Sequence, residues 1–291
     1  MLRRRRRHNG RVDADAAGAV AVDPELAASA FGQTDYAAQF DEVRPHPPAA
    51  LVDVLCRYAR VARPKLVVDL GCGTGLSAAV WGPRAGRVVG VEPAPGMVAV
   101  ARRRLVAANL EVRQAPGHAT GLPAGGADVV TAVQAFHYME PAATLAEVAR
   151  VLRPGGVFAA ADYYGPPSSD WELEAADEHV FRTAPRLRRE LASPYAWPRK
   201  WPKEGHLEAL RRSGHFRFVK EVLLHSEEGG GAERYVHHAL NYSVDDLAAL
   251  RARGVTDEAL GLAALRRAAD RVLGAGGTWL LSWRVRLGVR A

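Results

Sequence analysis

Short apolar runs alternate with segments of helical spacing along residues 48–163, and this alternation constrains the fold more than any other feature. The apolar runs predict strands at 66–70, 87–92, 110–115, 127–133 and 156–163. Apolar residues at helical spacing predict helices at 48–62, 76–81, 96–108 and 141–152. Because these strands are apolar throughout, both of their faces should be covered. The pattern therefore predicts an α/β fold with a mostly parallel sheet and helices on both faces.

The pattern changes after residue 164. Residues 165–215 combine tryptophans, prolines and many charges, which indicates a helical or irregular cap over the sheet. Within it, WPRKWPKEGH at 197–206 is predicted to be a surface loop, with nucleic-acid contact as the alternative. Helices are predicted at 243–253 and 256–273.

Two later segments are predicted to close the sheet. Residues 216–225 and 277–289 alternate in the manner of strands, and we expect them to pair as an antiparallel hairpin at the edge of the sheet. GGG at 229–231 is predicted to be a flexible turn.

The net charge of +7 is concentrated at the start of the chain. Arg3 to Arg7 carry five of these charges, which leaves +2 for the remainder and argues against a nucleic-acid-binding face. We expect a disordered basic tail over 1–25 and one domain over 26–291, with a cap drawn from 26–50 and 165–215.

The two cysteines, Cys56 and Cys72, lack metal-ligand spacing and fall in different predicted elements. We therefore expect no metal site and a reduced, cytoplasmic setting. The sequence contains no apolar stretch long enough to span a membrane, so no membrane contact is expected.

The stretch VVDLGCGTGLSA at 67–78 places a glycine-rich turn between the first predicted strand and the following helix. Ligands of open parallel sheets bind at such turns, at the carboxyl ends of the strands. Gly71, Gly73 and Gly75 occupy every second position, so the spacing departs from the G-x-G-x-x-G of dinucleotide-binding folds. The turn also lacks the G-K-[ST] of a phosphate-binding loop. It indicates close approach of a ligand to the backbone without an anion cradle.

This stretch resembles motif I of the class I S-adenosylmethionine-dependent methyltransferases, whose usual form is close to VLDLGCGTG. The resemblance implies a Rossmann-like fold and S-adenosyl-L-methionine as the cofactor. Gly71 and Gly73 are then expected to approach the cofactor, and Asp69 to bind its methionine ammonium group directly or through water.

The resemblance extends to other positions along the chain. Glu92, at the end of the second predicted strand, is expected to accept hydrogen bonds from both ribose hydroxyls. The remaining cofactor contacts that the resemblance implies are Pro93 and Met97 beside the adenine, His118 and Ala119 in GHATGLP, Gln134 near the methionine part, and Tyr36 and Arg44 in a covering N-terminal segment.

QAFHYM at 134–139 and the segment before motif I resemble the trans-aconitate methyltransferase-like group. His137 follows a buried strand at the catalytic end of the sheet, and we predict that it acts as a base or orients the acceptor. The alternative is that it lines the pocket without proton chemistry. Tyr163, Tyr164 and Trp171 follow the fifth strand, where acceptor-binding residues often lie, although they also suit the core of a cap.

Together these observations predict methyl transfer to a small-molecule acceptor, with a carboxylate or a hydroxyl as the accepting group. Three alternatives remain at this point: a nucleic-acid methyltransferase, a non-catalytic S-adenosylmethionine-binding regulatory module, and, more distantly, a nicotinamide dehydrogenase. The sequence indicates neither the acceptor nor the oligomeric state.

Overall fold

The computed structural model describes residues 44–191, 200–241, 247 and 250–291. The predicted basic tail over 1–25, Tyr36, and most of the 26–50 part of the predicted cap lie outside the described residues, as does most of the helix predicted at 243–253.

The described residues form one seven-stranded sheet. The strands are β1 (Leu66–Leu70), β2 (Arg87–Glu92), β3 (Leu110–Gln114), β4 (Ala127–Val133), β5 (Leu152–Ser168), β6 (Phe216–Glu228) and β7 (Trp279–Arg290). Their order across the sheet is β3-β2-β1-β4-β5-β7-β6. Neighbours from β3 to β5 pair in parallel, whereas β7 runs antiparallel to both β5 and β6. The predicted parallel sheet with an antiparallel closing strand is confirmed.

The helices follow the strands in the predicted alternation. They are α1 (Ala49–Ala59), α2 (Leu76–Ala79), α3 (Pro95–Arg104), α4 (Pro141–Val151), α5 (Trp171–Glu190), α6 (His206–Arg212), α7 (Gly231–Asn241) and α8 (Leu262–Leu273). Pro141 begins α4, and Glu140 caps it by accepting from the N–H groups of Ala142 and Ala143 at 3.0 and 2.6 Å.

Alternate residues of the central strands enter two separate cores. Val67 packs on the face covered by α1, where Leu51 and Leu55 are buried. Val68 packs on the opposite face with Leu145 of α4. This division has the period of two expected for a strand that is covered on both sides.

A third core lies beyond the parallel sheet, where the long strands β5 and β7 extend under α5, α7 and α8. The helical layer therefore draws on more of the chain than the 165–215 cap that the sequence predicts. Gly231 begins α7, so the turn predicted at 229–231 is shorter. Ala232, Tyr235 and Val236 of α7 bury one apolar stripe in this core.

The segment at 197–206 is only partly the predicted surface loop. Residues 197–199 lie outside the described residues, but His206 begins α6 and is 1% exposed. The charged residues in this segment suggested a solvated surface, whereas Lys203 and His206 turn toward a buried carboxylate that is distant in sequence.

Within the described part of the chain, no helix has the length and apolar character needed to cross a membrane. The same residues contain no group of three or more His, Cys, Asp or Glu side chains arranged to hold a metal ion. Cys56 and Cys72 are buried free thiols.

Candidate active site

A cavity of about 470 Å³ opens at the carboxyl ends of β1, β2 and β4. Its size is typical of pockets that bind nucleotide-sized ligands. The sequence-predicted site residues that line it are Arg44, Gly71, Gly73, Glu92, Pro93, Met97, His118 and Gln134. The structure therefore brings together residues that lie 90 positions apart in the sequence.

The glycine turn after β1 forms the floor of this cavity. Gly71, Gly73 and Gly75 have φ angles of 65°, 54° and 90°, a region that favours glycine. A Cβ atom on Gly71 would lie 2.6 Å from the Cβ of Ala135, whereas one on Gly73 would meet no atom within 4 Å. Gly71 is thus packed against the turn after β4, and Gly73 leaves open space for a ligand.

Asp69 lies behind this floor and does not line the cavity. It is fully buried, and its carboxylate accepts from the Ser77 hydroxyl at 2.5 Å and the Thr131 hydroxyl at 2.7 Å. Burial raises its pKa to about 6, although both hydrogen bonds act in the opposite direction. The carboxylate joins β1 to β4 and α2, directly under the glycine turn.

Glu92 ends β2 with its carboxylate in the cavity wall. One oxygen accepts from the N–H of Gly73 at 3.0 Å and the other from the N–H of Ala94 at 2.9 Å. Burial raises the pKa of this carboxyl to about 7, while the two backbone donors act in the opposite direction. A carboxylate has about four acceptor positions, so it can take further donors from a ligand.

Three of the other residues predicted to contact the cofactor line the adjacent wall, and a fourth does not. Pro93 and Met97 lie on the cavity beside Glu92, and the exposed His118 reaches it from the loop after β3. Ala119 does not line the cavity, and its N–H donates to the carbonyl of Pro116 at 3.1 Å.

Gln134 forms the opposite wall, at the end of β4. Its φ of 51° is in the left-handed region, which is uncommon for a residue with a side chain. The side-chain amide donates to the carbonyl of Tyr163 at 2.9 Å and accepts from the Nζ of Lys203 at 2.5 Å. Arg44 donates to the Tyr163 hydroxyl at 3.0 Å, and both residues line the cavity.

Comparison with known proteins identifies the family of this chain. Residues 68–160 match the model of a methyltransferase domain. The demethylmenaquinone methyltransferase of Beutenbergia cavernae is 33% identical over 169 residues, a match that covers 54% of this chain and 68% of the relative. The chain belongs to the S-adenosylmethionine-dependent methyltransferases.

Two further similarities agree with this assignment. The demethylmenaquinone methyltransferase of Thermus thermophilus is 38% identical over 115 residues, covering 38% of this chain and 52% of the relative. A presumed type II methyltransferase structure from Anaeromyxobacter dehalogenans is 28% identical, with a TM-score of 0.63, and the match covers 84% of this chain and 97% of that one. The methyltransferase chain spans about half the length of several curated relatives that it matches.

The cavity of this methyltransferase fits its family's cofactor, S-adenosylmethionine. The open space at Gly73 admits a ligand against the backbone, and the described residues of the floor, from Gly71 to Ser77, include no lysine or arginine. A buried carboxylate at Glu92 is an acceptor that suits the two hydroxyls of a ribose.

His137 lies beside the cavity and does not line it. It is buried in the short turn Phe136–Tyr138, with its Nδ1 3.5 Å from an oxygen of Asp162. Burial lowers the pKa of His137 to about 4, so the imidazole is neutral at neutral pH. Its neighbour Tyr138 lines the cavity instead.

Sequence reasoning missed two residues that organise this part of the methyltransferase. Asp162 is 1% exposed and lies within hydrogen-bonding or ion-pairing distance of Arg286, Lys203 and His206. A charge inside the apolar run of β5 was a signal that could have identified it. Lys203 donates to Gln134, which lies 69 positions away in the sequence, and no local sequence pattern predicts such a contact.

Proposed function

We propose that this methyltransferase transfers the methyl group of S-adenosylmethionine to a carboxylate or hydroxyl oxygen of a small-molecule acceptor. The single observation that carries the proposal is the continuity of the cavity from Glu92 across the glycine turn to Gln134, Arg44 and Tyr163. This space accommodates the donor and leaves polar groups at the end beyond β4. Small-molecule methyltransferases among the relatives, such as a ubiquinone biosynthesis O-methyltransferase from Stutzerimonas stutzeri, support the choice of acceptor class.

The residue roles form part of the proposal. Glu92 accepts the ribose hydroxyls, Pro93 and Met97 flank the adenine, and His118 lies at the outer edge. Gly71 and Gly73 receive the methionine part, and Gln134 and Arg44 lie at its far end. Asp69 is proposed to act indirectly, since Ser77 and Thr131 occupy its carboxylate oxygens and it holds the turn in place.

Methyl transfer is an in-line displacement, so the protein contributes mainly alignment and effective concentration. A carboxylate acceptor needs no base. A hydroxyl acceptor must lose a proton. The imidazole of His137 is neutral at neutral pH and could accept a proton, but it does not line the cavity. We propose that His137 supports the wall through Tyr138 and Asp162 and has a base role only if the wall moves on binding.

The test is a panel of small acids, phenols and amines assayed for release of S-adenosylhomocysteine. Turnover with an acid or phenol supports the proposal. Binding of the donor without turnover on any member favours the non-catalytic regulatory module. Methylation of DNA or RNA alone favours the nucleic-acid enzyme, and tight NAD binding without donor binding overturns the assignment.

His137→Ala tests whether this histidine contributes to turnover at all. We expect turnover to fall by about tenfold or more while donor affinity stays within about twofold, because the substitution disturbs the acceptor side of the cavity. Tyr58→Phe, in the core away from the cavity, is the control. Unchanged turnover in His137→Ala would remove His137 from the mechanism.

A further inference from the structure

The side-chain amide of Gln134, which lines the cavity at the end of β4, is held from both sides. Its Nε2 donates to the carbonyl of Tyr163 at 2.9 Å, and its Oε1 accepts from Nζ of Lys203 at 2.5 Å. An ammonium group can only donate and a carbonyl can only accept, so turning the amide over would break both hydrogen bonds. The two partners therefore leave the amide a single orientation.

Lys203 belongs to a segment that is fixed beside β4. The N–H of Trp201 donates to the carbonyl of His137 at 2.8 Å. His206 begins α6, with its Nδ1 3.2 Å from an oxygen of Asp162. Between these two anchors the side chain of Lys203 is 22% exposed and does not line the cavity. The ammonium group thus lies behind the cavity wall on a backbone that is held at both ends.

Lys203 also lies near Asp162, which raises the alternative that it serves only as a counterion there. Its Nζ is 3.5 Å from Asp162, compared with 2.5 Å from Gln134. Asp162 binds the buried Arg286 at 3.1 Å, so this carboxylate has a closer cation than Lys203. The hydrogen bond that Lys203 makes is therefore to the cavity wall.

The order of the strands indicates which part of the donor meets this amide. β2, β1 and β4 are neighbours, so Glu92, the glycine turn and Gln134 follow one another across the cavity. With the ribose at Glu92 and the methionine part over the glycine turn, the amino-acid end of the donor lies at Gln134. This step rests on the donor placement given under Proposed function.

A primary amide in one orientation is complementary to an amino-acid end. Beyond the hydrogen bonds to Tyr163 and Lys203, the amide has a second N–H and a second lone pair on its oxygen. The N–H can donate to the carboxylate of the ligand, and the oxygen can accept from its ammonium group. A cation bound to the oxygen polarises the amide and strengthens its N–H as a donor.

We propose that Lys203 is a positioning residue that fixes the side-chain amide of Gln134 for recognition of the donor's amino-acid end. Without the Lys203 ammonium group, the amide oxygen loses its partner and the amide is free to turn over or to leave the wall. The loss of affinity then falls on ligands that carry an amino-acid end. It is equal for the donor and its thioether product, because both carry the same ammonium and carboxylate groups.

Titration calorimetry with S-adenosylhomocysteine and 5′-methylthioadenosine tests this role. Both ligands contain the adenosine and a thioether, but only S-adenosylhomocysteine carries the amino-acid end. We expect the wild-type protein to bind S-adenosylhomocysteine at least about tenfold more tightly. Lys203→Met should weaken its binding by about fivefold or more and leave that of methylthioadenosine within about twofold. S-adenosylmethionine should lose affinity by the same factor as S-adenosylhomocysteine, to within about twofold.

Further variants separate positioning from a general structural role. Lys203→Arg keeps a charged donor and should hold the affinity for S-adenosylhomocysteine within about threefold of the wild-type value. In a Gln134→Leu background, Lys203→Met should change this affinity by less than about twofold, because Lys203 acts through the amide. Lys220→Met is the matched control, since Lys220 lies exposed on β6 at the edge of the sheet, and both affinities should stay unchanged.

A loss of affinity for both ligands in Lys203→Met, or for neither, overturns the inference and leaves the proposed methyl transfer standing. If Lys203→Met does not fold, Lys203→Gln, whose side chain is shorter but retains an N–H donor, carries the same expectation. A wild-type protein that binds the two ligands equally overturns the inference in any case. Failure of the wild-type protein to bind either ligand also overturns the donor placement, whereas absence of turnover on the acceptor panel bears only on the proposed acceptor.

Discussion

At the scale of single residues, Glu92 shows how burial affects a carboxyl group that lines the cavity. Its carboxylate is 7% exposed and accepts from two backbone N–H groups, yet burial still holds its pKa near 7. A protonated carboxyl is a poorer acceptor for ribose hydroxyls. Donor binding should therefore depend on the charge of this one side chain near neutral pH.

Glu92→Gln tests this dependence. We expect donor affinity to fall by about 1–3 kcal/mol, the range for lost hydrogen bonds to a charged group. In the wild-type protein, affinity should weaken as the pH falls through 7, because the carboxyl becomes protonated; the variant should lack this step. Titration calorimetry with S-adenosylhomocysteine between pH 6 and 8 measures both effects. Equal affinity of the two proteins at pH 8 would exclude the ribose role.

At the scale of elements, the turn between β1 and α2 requires glycine for two different reasons. Gly71 combines a left-handed backbone with close packing against Ala135, whereas Gly73 combines the same backbone with open space. The turn is therefore fixed on one side by packing after β4 and kept open on the other side for the ligand.

Gly71→Ala should destabilise the protein by about 2–4 kcal/mol, since it adds an overlap at 2.6 Å to backbone strain. Gly125→Ala is the matched control, because Gly125 has a φ of 71° and no atom within 4 Å of the added Cβ. We expect the control to cost only about 1–2 kcal/mol. Urea unfolding measures both, and similar losses would show that packing against Ala135 contributes nothing.

Residues 200–206 form an element whose position depends on a partner distant in sequence. The side chains of Lys203 and His206 lie 3.5 and 3.2 Å from the carboxylate of Asp162, which is buried in β5. The sequence of this segment is rich in charge and proline, which is equally typical of a solvated loop. Its prediction as a surface loop was wrong for His206, which is buried in α6, because the partner that covers it lies in a different strand.

At the scale of the whole molecule, Arg286 of β7 connects the three strands that close the sheet. It is 1% exposed and donates to Asp162 of β5 at 3.1 Å, to Glu221 of β6 at 2.9 Å and to the Tyr164 hydroxyl at 2.7 Å. Removing one partner from a buried ionic group leaves an uncompensated charge.

Arg286→Met should therefore lower the free energy of unfolding by about 3–5 kcal/mol. Arg284→Met is the control, since Arg284 pairs with the same Glu221 but is 41% exposed. Exposed pairs contribute only about 0–1 kcal/mol. Chemical denaturation of both variants distinguishes the buried from the exposed pair, and equal losses would contradict the special role of Arg286.

Buried carboxyl groups also set the dependence of stability on pH. Burial raises the pKa of Asp69 to about 6, of Glu92 to about 7, and of Asp177 in the helical layer to about 6. Between pH 4 and 6.5 the lowered pKa of His137 acts in the opposite direction, because the unfolded histidine is protonated and the buried one is neutral. The three carboxyl groups outweigh this one histidine, so the folded state binds more protons than the unfolded chain between pH 4 and 7 and its stability falls as the pH rises.

Below pH 4 the stability of the folded state falls as the pH is lowered. Hydrogen bonds from Arg150 hold the pKa of Glu147 near 2, so its contribution is lost as the medium becomes more acidic. We expect the donor-free protein to be most stable between about pH 4 and 5. Asp177→Asn should reduce the decline toward pH 7 by an amount on the order of 1–3 kcal/mol in urea unfolding. An unchanged decline would mean that Asp177 titrates normally.

The sequence by itself determined the order of the strands along the chain, the glycine turn and several of the residues that line the cavity. These features are local: apolar periodicity defines β1 to β5, and Gly71, Gly73 and Glu92 lie at the ends of those strands. The antiparallel placement of β7 was also predictable from two late alternating segments.

Only the tertiary structure decided which distant residues complete the site. Asp162 holds Lys203 and His206 behind the cavity wall at β4, and burial leaves His137 neutral behind Tyr138. The helical layer likewise gathers α5, α7 and α8 from three separate parts of the chain. The physical reason is the same in each case. Periodicity is a property of neighbouring residues and can be read from the sequence, whereas desolvation and charge pairing depend on groups that only folding brings together.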